Sequence, residues 1–161
     1  MEFYIMSNTN IGGTFSISVD SVDATIPEVA NTTLDETAFG ALTWQAVPNM
    51  GTHGDTGVDQ NMVSFPTWDN LLTVQQKGAA IGKTYEVIFL DEASDGMTAL
   101  QAASAIDNNN NFAFKLQWPD GRIEYGRGVV SAPGYSKGSN EDFATVAFNI
   151  AANQPIVQSA V

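Results

Sequence analysis

The sequence has no cysteine, a single histidine and only six basic residues, against 18 acidic ones in 161 positions. Without cysteine there is no disulfide framework and no thiolate metal site. His53 stands alone as an imidazole, and with no cysteine beside it the sequence argues against a zinc site. For the same reason Ser64, Ser131 and Ser136 have no identifiable base partner for nucleophilic catalysis. The shortage of cations leaves a net charge of −12, which repels nucleic acid phosphates. No apolar run approaches the length of a membrane span. The N-terminus has no basic segment followed by an apolar run and a cleavage site, so it does not read as a signal peptide.

The missing cations are unevenly placed. No Lys or Arg precedes Lys77, while nine acids do, from Glu2 to Asp69. One part of the molecule therefore projects a negative field that its own cations do not cancel, either as a solvated acidic surface or as a functional one. Asp91, Glu92 and Asp95 invite a calcium reading. In an EF-hand register starting at Asp91, however, the third and twelfth positions are Ala93 and Ala102. Helix capping accounts for these acids, with Asp95 as the expected cap. No Gly-rich phosphate loop with a lysine follows a strand, and nothing selects one carboxylate pair for hydrolysis. The expectation is a protein without catalytic residues, metal or cofactor.

What is present is enough apolar residue, 43%, for one real core. Residues 1–13 read as an N-terminal arm, with Gly12-Gly13 as its pivot and Met6 as a candidate start. Phe15, Ile17 and Val19 alternate with serines, the pattern of a half-buried strand. Residues 34–47 are ambiguous and then extended through Leu42, Trp44 and Ala46. Residues 48–61 are polar and Gly-rich, the pattern of a long loop. Val63, Phe65, Leu72 and Val74 suggest another strand, placed at an edge or bend by Pro66. Residues 84–90 are a strand. Residues 95–106 are the one helix, with a stripe of Met97, Leu100, Ala103 and Ile106. Phe112 to Trp118 alternate, Pro119-Asp120-Gly121 turns, and Ile123, Tyr125 and Val129 return. Ala144, Val146, Phe148 and Ile150 share one face of a last strand.

The pattern is mostly β: an antiparallel β-sandwich or barrel with one flanking α-helix. It forms a single domain over residues 14–155, followed by a tail at 156–161. Phe114, Leu116, Trp118 and Phe148 are the expected core. Trp44, Trp68 and Trp118 could alternatively form a sugar-stacking platform, which would make the chain a carbohydrate-binding module.

Residues 114–150 resemble the signature end of phage tail tube proteins: a strand, the Pro119-Asp120-Gly121 turn, and Tyr125-Gly126-Arg127-Gly128-Val129-Val130, followed by a polar loop and a last core strand. Upstream, Gly40-Ala41-Leu42-Thr43-Trp44, Lys77-Gly78 before an apolar strand, and Asp95-Gly96 before an Ala-rich helix follow in the family's order. The resemblance covers roughly residues 14–155. On this reading the immunoglobulin-like domain that many members carry at the C-terminus is expected to be missing.

The resemblance implies a structural virion protein, located in the phage tail and in the host cytoplasm during assembly. Its subunits would close into hexameric rings that stack into a hollow tube. It implies as partners other copies of the chain, a tape-measure protein and tail tip or terminator proteins, with DNA passing through the lumen unbound and no membrane partner. The inner tube of a contractile tail or a related injection device shares these features. On this reading the 48–61 loop, with Met50, His53, Asp55 and Asp59, contacts the next ring. Glu86 and Glu124 are the candidate lumen acids, whose negative charge would let DNA slide without sticking.

Overall fold

A computed structural model describes residues 12–22 and 34–159. Within them, every strand ladder is antiparallel. One half of the body contains β1 (Thr14–Ser18), β2 (Trp44–Val47), β7 (Phe112–Gln117) and β8 (Ile123–Val130), in the order β2-β1-β7-β8. The sheet continues from β8 into β10 (Thr145–Ala152), β6 (Thr84–Leu90) and β3 (Met50–His53). Two short strands join it: β9 (Gly134–Ser136) on β10 and β11 (Val157–Ser159) on β8.

The switch between halves occurs on β8. Its first residues pair with β11 and its last, Gly128 to Val130, pair with β10. The sheet therefore rolls over on itself and encloses a core. Phe15, Ile17 and Phe114 on one side meet Val87, Phe89 and Phe148 on the other. Phe15 and Phe89 have ring centroids 5.5 Å apart, and Phe89 meets Phe148 edge-on at 6.3 Å. The expected sandwich-like β architecture is thus present.

The predicted helix is α2 (Asp95–Ala103). Ser94, rather than Asp95, is its N-cap and accepts from the Met97 N–H at 3.1 Å. Asp95 sits in the first turn, where it complements the helix dipole. Met97, Leu100 and Ala103 are buried as expected, but the helix ends at Ser104, which caps it, and Ile106 is exposed. The absence of a Cβ at Gly96 lets α2 lie on β2, since a Cβ there would drive into the Ala46 carbonyl.

A second, short helix, α1 (Glu36–Gly40), lies in the stretch the sequence left ambiguous. Asp35 caps it, and its Phe39 stacks on Tyr125, centroids 5.1 Å apart and planes 3° apart. Phe39, Ala113 and Tyr125 form a minor core on the outer face of β7 and β8. The β1-β7-β8 layer is therefore buried on both faces, which explains why Ser16 and Ser18 are buried beside Phe15 and Ile17. Ser18 makes the burial tolerable: its hydroxyl donates to the Asp20 carbonyl and accepts from the Ala113 N–H, both at 3.0 Å.

The turn after β7 forms as read. The Gly121 N–H donates to the Trp118 carbonyl at 3.0 Å, with Gly121 at φ +94°. Trp118, however, is not core. It is half-buried at the open end of the sandwich, while Phe114, Leu116 and Phe148 are buried. The C-terminal segment is not a free tail, because β11 pairs with β8 through Tyr125 and Ile123. Most of the predicted arm, residues 1–11, lies outside the described residues, as do 160–161.

Candidate assembly surface

The largest departure from the sequence reading lies between β3 and β6. The polar stretch 48–61 is not one long loop. It contains β3, which pairs with β6, then a link over residues 54–57, and then the start of a long strand, β4 (Val58–Phe65). β4 pairs with β5 (Val74–Gly82) from Val58 opposite Gly82 to Phe65 opposite Val74, with one bulge between Gln60 and Met62. These two strands form a separate sheet, and every residue of β4 is exposed.

At about 3.3 Å per residue, the eight residues of β4 make an arm of about 26 Å. Its base is held firmly. Lys83 N–H donates to the Gly57 carbonyl at 3.0 Å, and Gly82 approaches Ala152 so closely that no Cβ fits. Lys83 also meets Asp59 at 3.8 Å, an exposed pair of little energetic weight.

The arm is unusually apolar for an exposed element. Val58, Met62, Val63, Phe65, Val74 and Ile81 are exposed along it. At its tip, Trp68 and Leu71 are fully exposed and Leu72 nearly so. A two-stranded ribbon is marginal on its own in water, and apolar patches of this kind mark interaction surfaces. The alternation of Val63 and Phe65 is the sequence signal for β4. Its partner, with Gln75, Gln76, Lys77 and Gly78, gives almost none.

Beside the base of the arm lies an open cavity of about 900 Å³. Met50, Leu116, Trp118 and Pro119 supply apolar wall, and Gln117, Lys83, Asp55 and Glu124 supply polar wall. Against it His53 donates from Nδ1 to the Gly54 carbonyl at 2.7 Å and packs on Phe15, centroids 5.9 Å apart. Burial lowers the His53 pKa below its ordinary 6.5, against smaller opposing effects of the Gly54 hydrogen bond and the Glu124 charge. Burial, assisted by Glu124, raises the Tyr85 hydroxyl above its usual range.

Three of the four candidate contact residues, Met50, His53 and Asp55, are thus brought together at this cavity, while Asp59 lies on β4. The two candidate lumen acids are not on one face. Glu86 is exposed on β6, opposite Asn149 of β10 and alternating with buried Tyr85. Glu124 is half-buried on the Tyr85 side and accepts from the Thr56 hydroxyl at 2.6 Å. The tryptophans form no common platform. Trp44 faces Ser18 at one end of β1, Trp118 lies beyond the other end, and Trp68 is at the arm tip. Among the described residues no group of three or more His, Cys, Asp or Glu could hold a metal ion, and no helix is long and apolar enough to cross a membrane.

No protein-family model matches the sequence, and no curated protein does. Solved structures do match. The SPP1 tail tube is similar over 92% of this chain and 77% of its own, with a TM-score of 0.58 at 11% identity. A chain in the tail of an empty gene transfer agent particle, refined with C6 symmetry, is similar over 79% of this chain and 92% of its own, with a TM-score of 0.57 at 15% identity. A chain of the six-fold symmetrised anti-feeding prophage baseplate is similar over 100% of this chain and 99% of its own, with a TM-score of 0.59 at 5% identity. At such identities the likeness is one of fold: the chain has the fold found in these tail and baseplate assemblies.

Proposed function

We propose that the chain is the repeating subunit of a phage-type tail tube, closing into six-fold rings that stack into a hollow conduit for DNA. The observation that carries this reading is the combination of a fold shared with tail assemblies and an apolar arm that stands exposed among the described residues. A ring requires a heterologous contact whose rotation closes, and a tube requires a second that repeats along the axis. The arm supplies a contact of this type. It takes over the inter-ring role that the sequence suggested for 48–61.

The lumen wall in this reading is the outer face of β6 and β10. The outer face of β7 and β8 is covered by α1, whereas Thr84, Glu86 and Asn149 stand exposed on the other side. Glu86 is in neither of the ion pairs found among the described residues, and an exposed acid suits a wall past which DNA slides. The subunit itself needs no catalytic group. Its partners are further copies, a tape-measure protein and tail tip or terminator proteins, and its location is the virion tail. Likeness along the whole chain to a baseplate structure favours, as second reading, the inner tube of a contractile tail or related injection device. A sheath gene beside this one would select it.

Negative-stain electron microscopy of the concentrated protein at several salt concentrations tests the proposal. Stacked rings or tubes of constant width are expected. Monomers under every condition, even with tail tip proteins added to initiate growth, would overturn it.

A further inference from the structure

We propose that the arm tip of one copy, led by Trp68, docks in the cavity at the base of the arm of a neighbouring copy. The inference rests on the tube reading above and adds the receptor for the arm.

The tip, residues 66–73, presents fully exposed Trp68 and Leu71, with Leu72 beside them. The cavity of about 900 Å³ is lined on its apolar side by Met50, Leu116, Trp118 and Pro119. That volume is in the range of sites that enclose groups larger than one side chain. It accommodates an indole with a leucine beside it, and Trp118 offers an aromatic surface to the incoming ring.

The occupant comes from another copy because the base of the arm is pinned and its two strands are paired out to the tip. Thr56 and Lys83, which line the cavity, directly flank the two ends of the hairpin. The tip lies about 26 Å away along a ribbon paired on both sides of one bulge at Asn61, so it cannot fold back into its own cavity without breaking the ladder. Tip and cavity are therefore distinct surfaces at opposite ends of one element. A tip-to-cavity contact is heterologous, the type of contact that rings and tubes are built from.

Charge on the cavity wall is mixed, since Asp55 and Glu124 stand there beside Lys83. Asp69 is the one charged residue in 66–73, and Lys83 is the one lysine or arginine among the described residues lining the cavity. Lys83 is held at 3.8 Å by Asp59 in an exposed pair, which a second carboxylate can join or replace at little cost.

The cysteine-free sequence makes a direct test possible. Full-length chains carrying Asn70→Cys alone are mixed with chains carrying Gln117→Cys alone and assembled under mild oxidation. The expected product is a mixed disulfide in large excess over either like-with-like disulfide. Adding Trp68→Ala to the Asn70→Cys chain should cut it at least tenfold. Tubes that form without the mixed disulfide would overturn the docking and leave the tube reading intact. Failure of the unmodified chain to form rings or tubes would overturn both.

Discussion

The imidazole of His53 lies against the ring of Tyr85, centroids 5.1 Å apart and planes 26° apart, joining β3 to β6 beside the cavity. The contact holds His53 away from water, and its consequence for stability has a definite sign. Burial depresses the folded-state pKa below 6.5, so well above pH 6.5 the ring is neutral in both states and contributes no pH dependence. As the pH falls below 6.5, the unfolded chain takes up the proton first and the fold loses stability. Denaturant midpoints at pH 7.5 and 5.5 should fall for the wild type, and His53→Gln should flatten the difference. The lowered pKa values of Asp120 and Asp142, caused chiefly by hydrogen bonds to Arg122 and Ser139 respectively, act in a separate window, below 3.8.

Core and arm should respond oppositely to truncation. Phe148 is fully buried, and Phe148→Ala should cost about 3–5 kcal/mol in equilibrium unfolding. Trp68 is fully exposed, and Trp68→Ala should leave subunit stability within about 0.5 kcal/mol while abolishing tubes in electron micrographs. A large loss of subunit stability from Trp68→Ala would mean that the arm tip is packed in the monomer.

The helix cap offers a local test. Ser94 accepts from Met97 N–H, so Ser94→Ala should cost about 1 kcal/mol. Asp95 acts only through the helix dipole, and Asp95→Ala should cost about 0.3–1 kcal/mol at low salt, fading as salt is added. Thermal melts of both variants at two ionic strengths separate the two roles.

Gly96→Ala should be worse than either cap variant. The new methyl group meets the Ala46 backbone, which cannot swing aside as a side chain would, so a loss of about 1–3 kcal/mol or more is expected in urea unfolding.

Glu86 and Glu124 should separate in phage carrying each as a lysine. Glu86 is exposed, so Glu86→Lys should leave folding intact and slow DNA ejection if its face lines the lumen. Glu124 holds Thr56 and sits near His53, so Glu124→Lys should first appear as reduced subunit stability. Ejection unchanged by Glu86→Lys would place that face on the outside.

Much of the fold was written in local pattern. The alternation of Phe112 to Leu116 and of Val146 to Ile150, the Asp120-Gly121 turn and the stripe of Met97, Leu100 and Ala103 each follow from how often a side chain returns to the same face. The tertiary structure decided the rest, because it depends on what covers each face. Ser16 and Ser18 look like the solvent side of β1 until α1 and its Phe39 are placed behind that layer. β5, with glutamines, lysine and glycine, has no face to bury and so no period to read; pairing with β4 makes it a strand. Glu86 and Glu124 occupy similar strand positions, yet the rolling of the sheet at β8 turns one outward and the other toward His53. Local sequence sets the period of an element, whereas the direction of a side chain relative to solvent or to another copy is fixed only when distant elements pack against it.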